Sequence, residues 1–296
     1  MNNFIEVIKK TERKPIFVDL NNALYRAYYS YKDIPNGHLI GLSQTLRTLD
    51  RLGFEVFLCE DSPCTYRMNL NEEYKDNRNS LHFETYYPEI RDLISGLEHF
   101  HTLRAYGYEA DDIMFSASKI CSDLKINNYI STVDKDLLQS LDEYTKVVHK
   151  ITMSGLDLVD ENSEYYTKNF PVPPYKLSIY RALKGDKSDN LKPPVARLPK
   201  DFIEDLVTFL YLNNGNLKGF IPKDNQVKWL SKLVENWDKF LNNYNIMGLK
   251  PIEFVMLDKP ELNTYLVPCN KYKLNTFKEY VINVNAQKEI FKKEGI

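Results

Sequence analysis

Short apolar runs in this chain end repeatedly in acid. Pro15-Ile16-Phe17-Val18 leads into Asp19, Val56-Phe57-Leu58-Cys59 into Glu60 and Asp61, and Tyr129-Ile130-Ser131-Thr132-Val133 into Asp134 and Asp136. Runs of this length, spaced by helical patterns, read as buried strands of a parallel sheet. Such sheets bind ligands at the carboxyl ends of their strands, so acids remote in sequence are expected on one edge. Glu109-Ala110-Asp111-Asp112 and Asp186-Lys187-Ser188-Asp189 can join them. Two carboxylates about 4 Å apart repel by roughly 4 kcal/mol at an effective dielectric near 20. A positive partner must offset that repulsion, and hard oxygen donors suit Mg²⁺ or Mn²⁺.

The rest of the composition is that of an ordinary globular chain: 296 residues, 43% hydrophobic and 27% charged. No apolar stretch approaches a membrane span, and the opening Met-Asn-Asn-Phe-Ile-Glu has neither the basic start nor the apolar middle of a secretory signal. A cytoplasmic protein is expected. Cys59, Cys64, Cys121 and Cys269 have no zinc spacing and read as reduced structural thiols. The formal net charge of -2 does not advertise nucleic acid. Residues 192–250 nevertheless carry nine Lys or Arg against six Asp or Glu, a local excess of three.

Up to about residue 190, strand and helix signals alternate, which predicts an α/β architecture. Helices are expected at 41–52, 87–100, 110–124 and 174–183. The polar, Tyr-rich stretch between Cys59 and Tyr87 lacks core periodicity and is expected on the surface near the sheet edge. After Asn190 the strand signal fades, and Lys192-Pro193-Pro194 marks a break. Helices at 200–211 and 225–243 follow, and 247–296 is mixed. The expected organisation is an α/β domain over 1–190, with an arch at about 62–100, and a mostly helical region over 191–296.

The acids have a chemical logic. Phosphodiester hydrolysis needs a nucleophilic water, charge neutralisation on the phosphate and stabilisation of the leaving oxygen, which paired divalent ions supply together. Aspartate is short and ionised at neutral pH. Glu109 and Asp112, three apart, share the face of a helix starting there, and their place in its first turn also suits the helix dipole. Taken alone, such a run is ordinary helix-terminal charge; its convergence with three strand ends favours metal. Tyr74-Lys75-x-x-Arg78 supplies the opposite charge, with Lys75 and Arg78 on one helical face. Tyr25, Tyr28, Tyr86 and Tyr87 are candidates for base stacking.

Val18-Asp19, Leu24-Tyr25-Arg26-Ala27-Tyr28, Tyr74-Lys75-x-x-Arg78, Glu109-Ala110-Asp111-Asp112, Ser131-Thr132-Val133-Asp134-Lys135-Asp136 and Leu183-Lys184-Gly185-Asp186-Lys187-Ser188-Asp189-Asn190 occur in the order of the 5'-nuclease family. The chain thus resembles flap endonucleases, bacteriophage 5'-to-3' exonucleases and the 5'-nuclease domain of bacterial DNA polymerase I. The resemblance spans residues 15–190 and implies a PIN-like fold, two bound Mg²⁺ ions replaceable by Mn²⁺, and hydrolysis of DNA at a 5' flap, nick or 5' end. RNA-DNA hybrid as a further substrate, a monomeric free-standing enzyme like those of bacteriophages, and contacts with replication proteins are further expectations; the alternatives are an RNA-directed nuclease of the same fold and a non-catalytic nucleic-acid-binding relative.

By the same resemblance Asp19, Glu109, Asp111 and Asp112 hold the first ion, and Asp134, Asp136, Asp186 and Asp189 serve the second. One more family acid falls at Glu60, counted back from Arg67, with Asp61 as the competing candidate. Lys75 and Arg78 become the catalytic cations of a mobile arch, and Tyr25, Arg26, Arg67, Tyr74, Arg197 and Lys200 are expected to meet DNA. The chain departs from the family in two places, mildly at Val133, where the family commonly has Gly, and more strongly after the last acid pair. Where a Gly-x-Gly turn normally grips duplex phosphate and K⁺, in a helix-turn-helix-type motif near 191–212, this chain has Val195-Ala196-Arg197-Leu198-Pro199-Lys200. Without glycine the close backbone approach is lost, so duplex grip is expected from Arg197 and Lys200.

Overall fold

A computed structural model describes residues 1–32, 37–63, 65–75, 83–95, 97–152 and 155–257. Its strands are β1 (Lys14–Asp19), β2 (Phe54–Glu60), β3 (Phe100–Arg104), β4 (Asn128–Ser131), β5 (Thr145–Thr152), β6 (Gly155–Val159) and β7 (Val255–Met256). They form one sheet in the order β6-β5-β4-β1-β2-β3-β7. β1 to β5 run parallel, and the two edge strands are antiparallel.

The first helices are α1 (Asn2–Lys10), α2 (Leu20–Ser30), α3 (Gly37–Arg51), α4 (Thr65–Leu70), α5 (Tyr87–Ile94) and α6 (Ala110–Asp123). They are followed by α7 (Glu164–Asn169), α8 (Leu177–Lys184), α9 (Lys200–Leu212), α10 (Val227–Glu235) and α11 (Trp237–Met247). No helix among the described residues is long and apolar enough to cross a membrane.

The acid-ended runs are apolar throughout because both sheet faces are covered. Ile16, Val18, Val56 and Leu58 enter one core with Leu42, Leu46 and Ile90 from α3 and α5. Phe17, Phe57 and Cys59, pointing the opposite way, enter a second core with Phe4, Ile113, Ala117, Leu206 and Phe240. Strand order decides where the site lies. The chain steps from β1 through β2 to β3 in one direction, then restarts at β4 on the other side of β1. The crevice at the carboxyl ends of β1 and β4 is thus a topological switch point, the usual ligand site of open α/β sheets. Val18 and Ser131 are register partners there, so Asp19 and the 134–136 turn flank the crevice.

Several elements depart from the sequence reading. The helix expected over 87–100 ends at Ile94, and Phe100–Arg104 is a strand beside β2. The helix expected over 225–243 is two helices, parted at Asn236. Val255–Met256, in a stretch without clear pattern, closes the sheet edge against Leu103 and Arg104. Residues 76–82 of the expected arch, with Arg78, and residues 258–296 lie outside the described residues.

Candidate active site

Each acid reaches the crevice for a local reason. Asp19 ends β1 and caps α2, accepting from the Asn22 amide at 2.8 Å. Burial first, then the neighbouring Asp61 and Asp134, push its pKa up to about 8. Asp61, just beyond β2, accepts from the Ala110 amide and from Asn21 Nδ2, both at 2.7 Å. Its pKa is also raised, by burial and by Glu109.

α6 begins with Glu109 as its N-cap, in a reciprocal box with Asp112. Burial, Asp134 and Asp19 hold Asp111 well above the carboxylate range. Among the described residues its Oδ1 has no hydrogen-bond partner although it is buried. Glu109 is the compensated member. Against the effect of burial, Lys75 and Arg67 hold its pKa below the ordinary value; Lys75 Nζ lies 2.6 Å from Oε1, and the Tyr74 hydroxyl donates to Oε2 at 3.0 Å. The Lys75 ammonium also favours the ionised forms of Asp19, Asp61 and Asp111.

The second acid group follows β4 and α8. Asp134 accepts from the Asp136 amide at 2.8 Å. Asp136 is buried and raised well above its usual pKa, by burial first and then by Asp134, Asp189 and Asp186, with Arg181 opposing. Gly185 ends α8 at φ 68°, where an added Cβ would lie 2.5 Å from the Leu191 carbonyl oxygen. Glycine is therefore required, and Asp186 follows it directly, paired with Leu191 through two backbone hydrogen bonds of 2.7 Å. Burial opposes ionisation of Asp186, but the Ser188 hydroxyl and amide, then Arg181 and Lys135, hold its pKa below the ordinary value. Asp189 is buried within electrostatic reach of Asp136.

Four site expectations change, at Glu60, Arg67, Asp112 and Tyr74. Glu60, expected among the metal-holding acids, faces the opposite side: strand side chains alternate, and Arg91 Nη1 binds both its oxygens at 2.8 and 2.6 Å. Asp61 occupies the crevice instead. Arg67, expected to meet DNA, is buried; it binds Asp112 through two nitrogens and donates Nε to the Ile246 carbonyl at 2.9 Å. Asp112 thereby faces a guanidinium rather than the open crevice. Tyr74 is likewise buried, packed with Leu191, Ile246 and Met247, with its hydroxyl spent on Glu109.

Arg197 and Lys200 are exposed. Arg197 adopts φ 57°, so the turn without glycine keeps a left-handed residue. Beside the acids, a cleft of about 590 Å³ is lined by Arg26, Arg47 and Arg51. Arg47 and Arg51 were not singled out by the sequence, although their i,i+4 spacing on one helix put them on a shared face. Arg181 was missed as well. Its signal was a charged residue among the buried positions Leu177, Ala182 and Leu183 of α8.

An all-oxygen, acid-rich donor set suits a hard divalent cation. Among the described residues no three of these groups converge into a ready-made cage. Mg²⁺ rarely uses one, keeping several waters and binding through one or two carboxylates. The orphaned Asp111 oxygen and the crowded Asp19 fit such an ion.

A mainly parallel sheet with carboxylates gathered at its switch point places the protein in the class of open α/β folds with an acidic crevice. Comparison then gives the family. The profile for the 5'-3' exonuclease N-terminal resolvase-like domain matches residues 14–169, more than half of the chain, and the chain belongs to that family. It is 26% identical over 301 residues to DNA polymerase I of Borreliella burgdorferi, covering 94% of this chain and 33% of that protein. A 5'-3' exonuclease of Mycoplasmopsis pulmonis is 29% identical over 189 residues, 60% of this chain and 61% of the relative. The chain thus spans a third to three fifths of the length of these two relatives. In fold it is similar to the bacteriophage T5 flap endonuclease solved in a pseudo-enzyme-product complex with DNA and metal ions, with a TM-score of 0.60 at 16% identity over 92% of this chain and 99% of that one.

Proposed function

We propose that this protein is a divalent-metal-dependent 5' nuclease that hydrolyses phosphodiester bonds of DNA at a 5' flap, nick or 5' end. One observation carries the reading: carboxylates from five remote segments meet at the sheet's switch point with the Lys75 ammonium among them. Family membership and the fold shared with a DNA-bound flap endonuclease support it.

Asp19, Asp61, Asp111 and Glu109 would hold one Mg²⁺ ion and Asp134, Asp136, Asp186 and Asp189 a second, directly or through water, with Mn²⁺ as substitute. Bound there, divalent cations supply charge neutralisation at the reacting phosphate and lower the pKa of attacking water. The remaining work belongs to the chain itself. Lys75 is held at the rim by Glu109, a quarter of its side chain exposed; it is the cation placed to meet an incoming phosphate. Tyr74 and Arg67 keep Glu109 ionised and oriented. Arg26, Arg47 and Arg51 give the neighbouring cleft a positive lining suited to a phosphate backbone. Arg78 joins Lys75 in the proposal by family resemblance.

RNA-primer removal, a monomeric state, a cytoplasmic setting and replication partners belong to the same reading. The test is a panel of substrates with Mg²⁺, Mn²⁺ or chelator: 5'-flapped, nicked and 5'-recessed DNA, the same duplexes with an RNA 5' strand, and a 3'-flap control. Cleavage of the 5' structures, dependent on metal and leaving 5' phosphate, is expected. No cleavage of any 5' structure under these conditions would overturn the reading.

A further inference from the structure

We propose that Arg181 is a built-in counter-ion for Asp136 and Asp186, which neutralises them while the protein is metal-free and gives them up as a divalent cation enters. The inference rests on the metal-dependent reading above. Its basis is the contrast between two buried arginines. Arg67 uses all three of its nitrogens: Nη1 and Nη2 bond Asp112 and Nε bonds a carbonyl. That is a finished structural pair.

Arg181 is not finished. Its Nη2 bonds Asp186, and its Nε lies 2.9 Å from Asp136 Oδ1. Among the described residues, however, that oxygen accepts no hydrogen bond and Arg181 Nη1 donates none, although both are buried. Arg181 opposes the negative charge of the cluster while the bonding capacity of Asp136 stays unused. A buried ion pair is favourable only when its geometry is good and its remaining hydrogen bonds are made, so this pair is poorly built for permanence. It is well built for exchange, because Asp136 keeps an oxygen ready for another ligand.

The acids that would release Arg181 cannot simply spread apart. Asp186 is fixed between the obligatory Gly185 and its backbone bridge to Leu191, and Asn243 of α11 ties the Ala182 and Lys192 carbonyls on either side. Without a cation, Asp134, Asp136, Asp186 and Asp189 would repel in a buried setting. Arg181, reaching from the preceding helix, removes one unit of that charge. A guanidinium stays protonated in proteins, so the compensation persists until the guanidinium moves. The cost is competition: an entering cation meets a less negative site.

The test is Mn²⁺ binding to the full chain, by calorimetry and by electron paramagnetic resonance, with the metal-induced rise in Tm as an independent readout. Arg181→Met should lower the metal-free Tm, tighten the weaker Mn²⁺ site by about tenfold or more, and enlarge the metal-induced Tm rise. Arg181→Lys keeps the charge but offers one nitrogen for two acids, and should move both readouts the same way by less. A purely structural arginine would leave the affinity unchanged or weaken it. That result in both variants, with native circular dichroism, overturns the proposal. If Arg181→Met stays unfolded even in Mn²⁺, Arg181→Lys decides alone on the same two readouts. Absence of Mn²⁺ binding to the unaltered protein would instead remove the metal reading itself, and this inference with it.

Discussion

Arg67 and Asp112, 45 residues apart in sequence, meet in a buried two-point contact of 2.5 and 2.7 Å. The same guanidinium reaches the Ile246 carbonyl at 2.9 Å. One side chain thus joins the helix after β2, the acid-bearing N-terminus of α6 and the end of α11. Burial alone would lower its pKa, but the bonds and charge of Asp112, with Glu109, hold it above the ordinary arginine value. Arg67→Leu strands a buried carboxylate and should cost about 3–5 kcal/mol of stability. Urea unfolding measures this, and a loss below about 1 kcal/mol, the value of a surface pair, would contradict the account.

Stability of the metal-free protein should fall as pH rises. Asp19, Asp111 and Asp136 all have raised pKa values in the folded state, Asp19 to about 8. An acid of this kind holds more proton folded than unfolded, so its contribution is greatest below its unfolded pKa of about 3.9 and is lost as pH climbs through the folded value. In chelator, Tm should decline between about pH 5 and pH 8, and Mg²⁺ should flatten the decline. A metal-free Tm that stays level or rises across that window would count against the crowded-acid description.

The opposite edge of the sheet has the opposite sign. Burial works to raise the pKa of Glu55, but His101, Thr11 and His99 bond its carboxylate and lower it to about 2. A depressed acid contributes stability above its unfolded pKa that is lost as pH falls through the folded one. Glu55→Gln should therefore destabilise the protein near neutral pH and do progressively less harm toward about pH 2. Parallel acid titrations of the two proteins, followed by circular dichroism, should converge; curves a constant distance apart would contradict this.

Glu60 and Asp61 are adjacent yet face different partners, which gives a paired prediction. Glu60→Gln changes the bond with Arg91 on the far side of the strand and should leave cleavage per folded molecule unchanged. Asp61→Asn should cut cleavage by about 10–100-fold or more, the usual effect of disturbing a metal's surroundings. Steady-state cleavage of a 5'-flapped duplex separates the two. Inverted results would return Glu60 to the site.

Legibility of the sequence followed physical cause. β1, β2 and β4 could be read because strands covered on both faces must be apolar, and the acids after them because strand ends share an edge. β3 could not: Phe100–Arg104 carries His101 and Arg104, which find partners only after folding, His101 on Glu55 and Arg104 near Glu60. β7 is two residues long, too short for any period. The choice between Glu60 and Asp61 depended on which one the pleat turned toward the crevice, a matter of where β2 ends. Arg67 looks like surface charge in sequence, because its burial is decided by Asp112, 45 residues along the chain.

Asp111→Asn tests most directly whether the crowded carboxylates are a divalent-cation site that serves hydrolysis. Asparagine keeps the shape and removes an acid that folding forces out of its ionised form. Assayed beside the unaltered protein on a 5'-flapped DNA in Mg²⁺, the variant should have lost at least about 100-fold in rate while its metal-free Tm rises. A variant that cleaves at the unaltered rate, or whose metal-free Tm falls, would contradict the account.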